Sequence, residues 1–222
     1  MRPLAFDAAQ AGRTALLVGS SPAVARIDPL EVARALAARE GAWPWTCRVG
    51  RLRPDGALPD AVAVASYSDV LATHLALGAA CRAALAWDHL PEVFVPAVAA
   101  MTERPQAYAP FAAALAERYV VEAPAEWGHL RSGPLALLAA AARGCTRVVL
   151  WGMLPCDLRD RTLRRRAERI TRQLVAVHAA HRALVVVRWL CAAERTLAEP
   201  LTASLAGRFC YDPAARVLEE VA

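Results

Sequence analysis

Several residue types and patterns are missing from this chain, and each absence narrows what the protein can be. The 222 residues include neither lysine nor asparagine, so arginine carries all the fixed positive charge of the side chains. None of the six cysteines falls in a C-x-x-C pair, which excludes a zinc ribbon and a thioredoxin-like redox pair. We therefore expect buried, free thiols that act as small apolar side chains.

Long hydrophobic runs are also missing, although 57% of the residues are hydrophobic and the mean hydropathy is +0.28. The apolar runs 134–142 and 183–187 end at Arg143 and Arg188, well short of the roughly 20 residues that span a bilayer. No transmembrane segment is predicted. Asp7 and Gln10 lie where a signal peptide needs apolar residues, so we expect a cytoplasmic protein.

Short apolar runs alternate with amphipathic stretches from one end of the chain to the other. This alternation predicts a single Rossmann-like α/β domain over residues 1–222, with a mostly parallel sheet and helices on both faces. The predicted strands are 14–18, 45–49, 61–66, 83–87, 93–95, 119–122, 147–151, 183–190 and 208–211. The predicted helices are 69–80, 110–118, 134–143, 160–180 and 193–206, with a further one that starts at Asp28 and Pro29.

Two short segments are candidates for binding a ligand at the carboxyl ends of the strands, where α/β sheets place their sites. The first is the turn after the opening strand, made of Gly19, Ser20, Ser21 and Pro22. The second is Arg131, Ser132 and Gly133, where a guanidinium, a hydroxyl and free N–H groups meet at a helix start. Both have plain structural alternatives: any tight turn favours Gly, Ser and Pro, and Ser132 is a suitable N-cap.

Taken together, the two segments resemble a known family. The stretch G-S-S-P-A-V-A-R-I-D-P at 19–29 and the stretch R-S-G-P-L-A-L-L-A-A-A-A-R-G-C-T-R-V-V-L-W-G at 131–152 are similar to motifs of the bacterial sialyltransferases of glycosyltransferase family 42. Those motifs read G-N-G-P-S-L-x-x-I-D and S-G-x-x-x-x-x-x-A-x-x-L-G-Y-x-x-I-Y-L-x-G-I-D. The resemblance covers both ends of the family's catalytic domain.

The resemblance implies a metal-independent and cofactor-free transferase that moves sialic acid or a related acidic sugar from a CMP-activated donor to a hydroxyl acceptor such as a glycan. Its substrate-binding residues would be Gly19, Ser20, Ser21, Pro22, Arg131, Ser132, Gly133 and Asp157. Ser20 stands where the family has asparagine, and Leu154 stands where it has an acidic residue, so Asp157 is the nearest replacement.

The family's long loop with a catalytic histidine is missing here, because the chain passes directly into the helix predicted at 160–180. Glycosyl transfer of this type needs a general base, and imidazole has a suitable pKa. His129 is nearest to the expected donor site and is the predicted catalytic residue. His178 and His181, near a helix end whose dipole favours their charged forms, are alternatives.

Other functions stay open at this stage. One is a catalytically inactive protein of the same fold that binds a nucleotide, a glycan or a protein partner. For either function, a homo-oligomer of this chain stays open. Another is a pterin-linked diphosphotransferase, which would need ATP and magnesium. The arginine-rich stretch 159–172 is typical of a solvated helix face, and nucleic acid is not the expected partner because no aromatic residue interleaves the run.

Overall fold

The computed structural model describes residues 2–20, 27–50, 59–65, 73, 91–96, 120–127, 129–153, 160–181, 184, 186–192, 208–212 and 215–221. Its strands are β1 (Arg2–Pro3), β2 (Thr14–Val18), β3 (Trp45–Val49), β4 (Ala61–Ala63), β5 (Glu92–Val95), β6 (Val120–Glu122), β7 (Arg147–Trp151), β8 (Val186–Ala192), β9 (Arg208–Asp212) and β10 (Val217–Val221). Its α-helices are α1 (Pro29–Glu40), α2 (Ser132–Ala142) and α3 (Arg161–Ala180), and a 3₁₀ turn covers Ala125–Trp127.

The described strands form one sheet in the order β1-β6-β5-β4-β3-β2-β7-β8-β9-β10. Every neighbouring pair from β1 to β9 is parallel, and β10 alone runs antiparallel, to β9. Helices α2 and α3 pack on one face of the sheet, while α1 packs on the other. The predicted fold, a Rossmann-like α/β domain with a mostly parallel sheet and helices on both faces, is confirmed.

Local sequence explains where α1 begins and ends. The Asp28 side chain accepts a hydrogen bond from the N–H of Leu30 at 3.0 Å, and Pro29 occupies the first helical position. Gly41 ends the helix with φ of 74°, a left-handed conformation that glycine adopts without a Cβ penalty. The start that the sequence predicts at Asp28 and Pro29 is confirmed.

Helix α2 is apolar all round, because the sheet covers one side of it and α3 another. Its residues from Gly133 to Ala141 are all buried. At its far end the Arg143 guanidinium contacts both carboxylate oxygens of Glu92 at 2.7 and 2.8 Å, and it also lies 5.7 Å from the centre of the Phe94 ring. The helix begins at Ser132, two residues before the predicted start, and Gly144 follows it with φ of 87°.

The remaining predictions divide into three groups. Strands β2, β3 and β7 have the predicted bounds, and β4, β5, β6, β8 and β9 overlap theirs. Strands β1 and β10 were not predicted. The predicted strand 83–87 and helices 110–118 and 193–206 lie outside the described residues, as does all of the predicted helix 69–80 except residue 73. None of the described helices is long and apolar enough to cross a membrane.

Candidate functional site

The carboxyl ends of β2 and β7 form the topological switch point of the sheet. From β2 the chain continues to β3 on one side, whereas from β7 it continues through α3 to β8 on the other side. In open α/β sheets, ligands bind in the crevice outside such a point. Gly19 follows β2 and Gly152 follows β7, so small residues line this position on both strands.

Gly19 is required here for packing. Its N–H donates to the carbonyl oxygen of Trp151 at 2.6 Å, which extends the ladder between the two strands by one residue. A Cβ atom on Gly19 would overlap the carbonyl oxygen of Gly152 and come within 2.9 Å of the nitrogen of Met153. The close approach of two backbones therefore accounts for this glycine. Ser20 is exposed, while Ser21 and Pro22 lie outside the described residues.

The start of α2 differs from the starts of the other described helices, because among the described residues no side chain caps it. Asp28 caps α1, and the Asp160 carboxylate accepts from the N–H groups of Thr162 and Leu163 at the start of α3. At α2 the N-cap position is occupied by Arg131, which makes no capping hydrogen bond. The N-cap side chain therefore does not occupy the backbone donors of the first turn, and the helix dipole favours negative charge there.

Ser132 is the first residue of α2 and is not its N-cap. Its hydroxyl oxygen accepts a hydrogen bond from the N–H of Ala65 at 3.0 Å, just beyond the end of β4. The plain structural alternative for Ser132, an N-cap, is therefore wrong. The hydroxyl joins the helix start to the carboxyl edge of the sheet, and its own proton is still available for donation.

We expect Ser132→Ala to lower the free energy of unfolding by about 1–3 kcal/mol, because the partly buried N–H of Ala65 would lose its acceptor. Urea denaturation followed by circular dichroism measures this difference. Ser132→Thr, which keeps a hydroxyl, is the control and should retain most of the stability. Equal losses in the two variants would show that the hydrogen bond is not responsible.

A glutamine on α3 holds the segment that leads into α2. The Gln173 amide nitrogen donates to the carbonyl oxygen of His129 at 3.0 Å, and its amide oxygen accepts from the N–H of Arg131 at 3.0 Å. Sequence reasoning missed this residue, although it is one of only three glutamines in the chain and lies within an arginine-rich helix. Only the pairing of α3 with α2 reveals its role.

The two predicted binding segments face the same stretch of chain after β7. Gly19 abuts Gly152 and Met153, while a Cβ on Gly133 would lie 3.3 Å from the Met153 sulfur and 3.8 Å from Ile170. The fold thus brings both the turn after β2 and the start of α2 next to residues 152–153. Asp157, the remaining predicted binding residue, lies outside the described residues.

His129, the predicted catalytic residue, is exposed and sits two residues before Arg131. Its ring stacks on Trp127 with 6.5 Å between centroids, and Trp127 in turn lies 6.2 Å from the ring of His181. Burial lowers the pKa of His181, which favours its neutral form although the ring lies at the end of α3. Nε2 of His178 lies 3.2 Å from the carbonyl oxygen of Leu184, which gives that ring a structural contact.

The described cysteine side chains fit the expectation of inert thiols. Cys47 and Cys145 are buried and free. Burial raises the pKa of Cys145 to about 11 and raises that of Cys47 further still, so neither is a thiolate at neutral pH. Among the described residues, no three His, Cys, Asp or Glu side chains lie close enough to hold a metal ion.

Known proteins provide no further guide to the family. No protein-family model matches the chain, and neither a curated protein nor a solved structure does. The resemblance to the bacterial sialyltransferases therefore rests on the two motifs alone, and the function has to be inferred from the site.

Proposed function

We propose that the protein binds a CMP-activated acidic sugar at the carboxyl edge of the sheet and transfers the sugar to a hydroxyl acceptor. The observation that carries this proposal is the uncapped start of α2, which faces the switch point of the sheet through Met153. Nucleotides bring phosphate groups, and an uncapped helix start is suited to binding them.

The donor phosphate would lie against the first turn of α2. The N–H groups of Ser132 and Gly133 are free of a capping side chain, while Pro134 has no N–H to offer. Arg131 is exposed beside them, and its guanidinium suits bidentate contact with phosphate oxygens. The same groups would stabilise the negative charge that develops on CMP as it leaves.

His129 would serve as the general base. Its imidazole takes the proton of the acceptor hydroxyl while the acceptor oxygen forms a bond to the anomeric carbon of the sugar. The bond between that carbon and the CMP phosphate oxygen breaks with inversion, and CMP leaves with the electron pair. Gln173 assists by fixing the backbone on both sides of Leu130, so His129 and Arg131 keep their relative positions.

A non-catalytic protein that binds a nucleotide, a glycan or a partner protein through the same fold is the second candidate. One specific observation favours it: within the described part of the chain, the His129 ring stacks on Trp127 but has no hydrogen-bond partner to orient it. Catalytic bases are commonly oriented by a further group. Where the ligand of the non-catalytic protein is a nucleotide, the two candidates share the binding site and differ only in turnover.

We expect Arg131→Ala to weaken CMP binding at least about tenfold in isothermal titration calorimetry, because hydrogen bonds to charged groups contribute about 1.5–3 kcal/mol. Arg34→Ala, which removes an exposed guanidinium from α1, is the matched control and should leave the affinity unchanged. An affinity for CMP that is the same in the two variants would contradict the site assignment.

Turnover separates the two candidates. Incubation with CMP-sialic acid and a glycan acceptor should release CMP, and His129→Gln should abolish the release while leaving CMP affinity within about twofold of the parent value. Binding of CMP without any release, over a range of CMP-linked acidic sugars, would favour the non-catalytic candidate.

A further inference from the structure

The outward face of α3 carries a straight row of four arginines, spaced three or four residues apart. This arginine stripe consists of Arg161, Arg165, Arg169 and Arg172. All four are exposed, whereas Ala167, Ile170 and Leu174 on the opposite side are buried. Since a helix rises about 1.5 Å per residue, the stripe is about 16 Å long.

The charge of the stripe is not balanced on its own helix. The Asp160 carboxylate is used to cap α3, which leaves Glu168 as the only acid within the helix. Among the described residues, Arg161, Arg165 and Arg169 have no ion-pair or hydrogen-bond partner, and the Arg172 Nε donates only to the backbone oxygen of Glu168 at 3.4 Å. Like charges four residues apart, and cations in a first turn, oppose helix formation.

We propose that the arginine stripe binds the phosphate backbone of nucleic acid without reading its sequence. A guanidinium matches the geometry of phosphate and bonds it through two N–H groups. A linear row of cations also suits a linear row of phosphates, and neutralising phosphates releases counterions. This surface lies on the solvent side of α3 and does not depend on the function proposed for the carboxyl edge.

We expect binding that does not depend on the base sequence of the nucleic acid, because the stripe lacks the side chains that recognise bases. Exposed residues between Arg161 and Arg172 include no aromatic side chain to stack on a base and no amide to pair with a base edge. Gln173, the nearest amide, is bonded to the segment before α2. From the sequence, the lack of aromatic residues among the arginines argues against nucleic acid as the partner. In the structure, the same lack excludes only the stacking of bases on the stripe, and contact with the phosphate backbone stays open.

A membrane surface matches the arginine stripe less well than nucleic acid does. Helices that lie in a bilayer interface insert an apolar face between the lipids. The apolar face of α3 is already buried in the core, through residues such as Ala167 and Leu174. On its outer side the only large exposed hydrophobic residue is Val175, beyond the end of the stripe.

Fluorescence anisotropy of the intact protein with a labelled 20-nucleotide oligonucleotide of mixed sequence, single-stranded and duplex, tests the proposal. Four phosphate contacts predict that duplex affinity falls about 100-fold between 50 and 200 mM salt, and that a second sequence binds equally well. R165E/R169E should weaken binding at least about tenfold, with R165Q/R169Q intermediate. The matched control R34E/R216E, which reverses two exposed arginines elsewhere, should have a much smaller effect.

The proposal fails if the oligonucleotide does not bind at 50 mM salt, if binding is insensitive to salt, or if the control pair loses as much affinity as the stripe variant. Sedimentation with vesicles rich in anionic phospholipid provides a further arm. Binding to vesicles but not to the oligonucleotide would assign the stripe to a membrane instead.

The stripe is separate from the start of α2, so R165E/R169E should bind CMP as the parent protein does. The proposal for the stripe and the proposed function can therefore fail independently.

Discussion

Replacing Gly19 with alanine should destabilise the protein by about 3 kcal/mol or more, one of the largest losses expected from a single added methyl group. The new Cβ would overlap the carbonyl oxygen of Gly152, which belongs to the backbone and cannot rotate away as a side chain would. Relief requires the ends of β2 and β7 to separate, which breaks the hydrogen bond from the Gly19 N–H to Trp151. The midpoint of urea unfolding measures the loss.

Gly133→Ala is the matched control, because it adds the same methyl group next to the same stretch of chain but against a side chain. There the Cβ would meet the Met153 sulfur at 3.3 Å, and methionine has a flexible side chain that can move. Alanine is also a better helix former than glycine, so the net change should be within about 1 kcal/mol of zero. Similar losses in the two variants would show that the backbone contact at Gly19 is not decisive.

The bounds of several elements follow from local sequence because the physical signals are local. In strands β2 and β7, four consecutive apolar residues follow a polar residue and precede a glycine, and the predicted bounds match the structure. Helix α1 has its own cap and its own stop, so its start at Pro29 was predictable. Strand β10 has two adjacent glutamates, and it forms because β9 pairs with it. A strand that forms through such pairing has little hydrophobic pattern of its own from which it could be predicted.

The arrangement of the site was less predictable, since it depends on contacts between distant residues. The sequence indicated that Gly19 and Gly133 lie at the same edge of the sheet, yet both glycines turn out to pack against the backbone or side chain after β7. The bond from Ala65 to Ser132 joins residues 67 positions apart, and the bonds of Gln173 reach back over 40 positions. No local signal distinguishes this serine or this glutamine from their neighbours.

Trp151→Ala is the second substitution with a large expected effect. Trp151 is 1% exposed, ends β7 and packs in the cluster between the sheet and α1. Truncating a buried tryptophan to alanine leaves a cavity and typically costs about 3–5 kcal/mol. Far-UV circular dichroism during urea unfolding is the suitable measurement, because removal of an indole also changes the fluorescence signal.

Trp151→Phe should be far less damaging, and the reason lies in the indole nitrogen. The Trp151 Nε1 is buried and finds no hydrogen-bond acceptor within the described part of the protein. An unsatisfied buried donor costs about 1–3 kcal/mol, so its removal offsets much of the packing that the smaller phenylalanine ring loses. A loss for Trp151→Phe as large as that for Trp151→Ala would mean that the N–H has an acceptor.

Because the phenylalanine variant keeps the end of β7 in place, it should bind CMP like the parent protein. A loss of CMP affinity without a matching loss of stability would instead make this N–H a ligand contact.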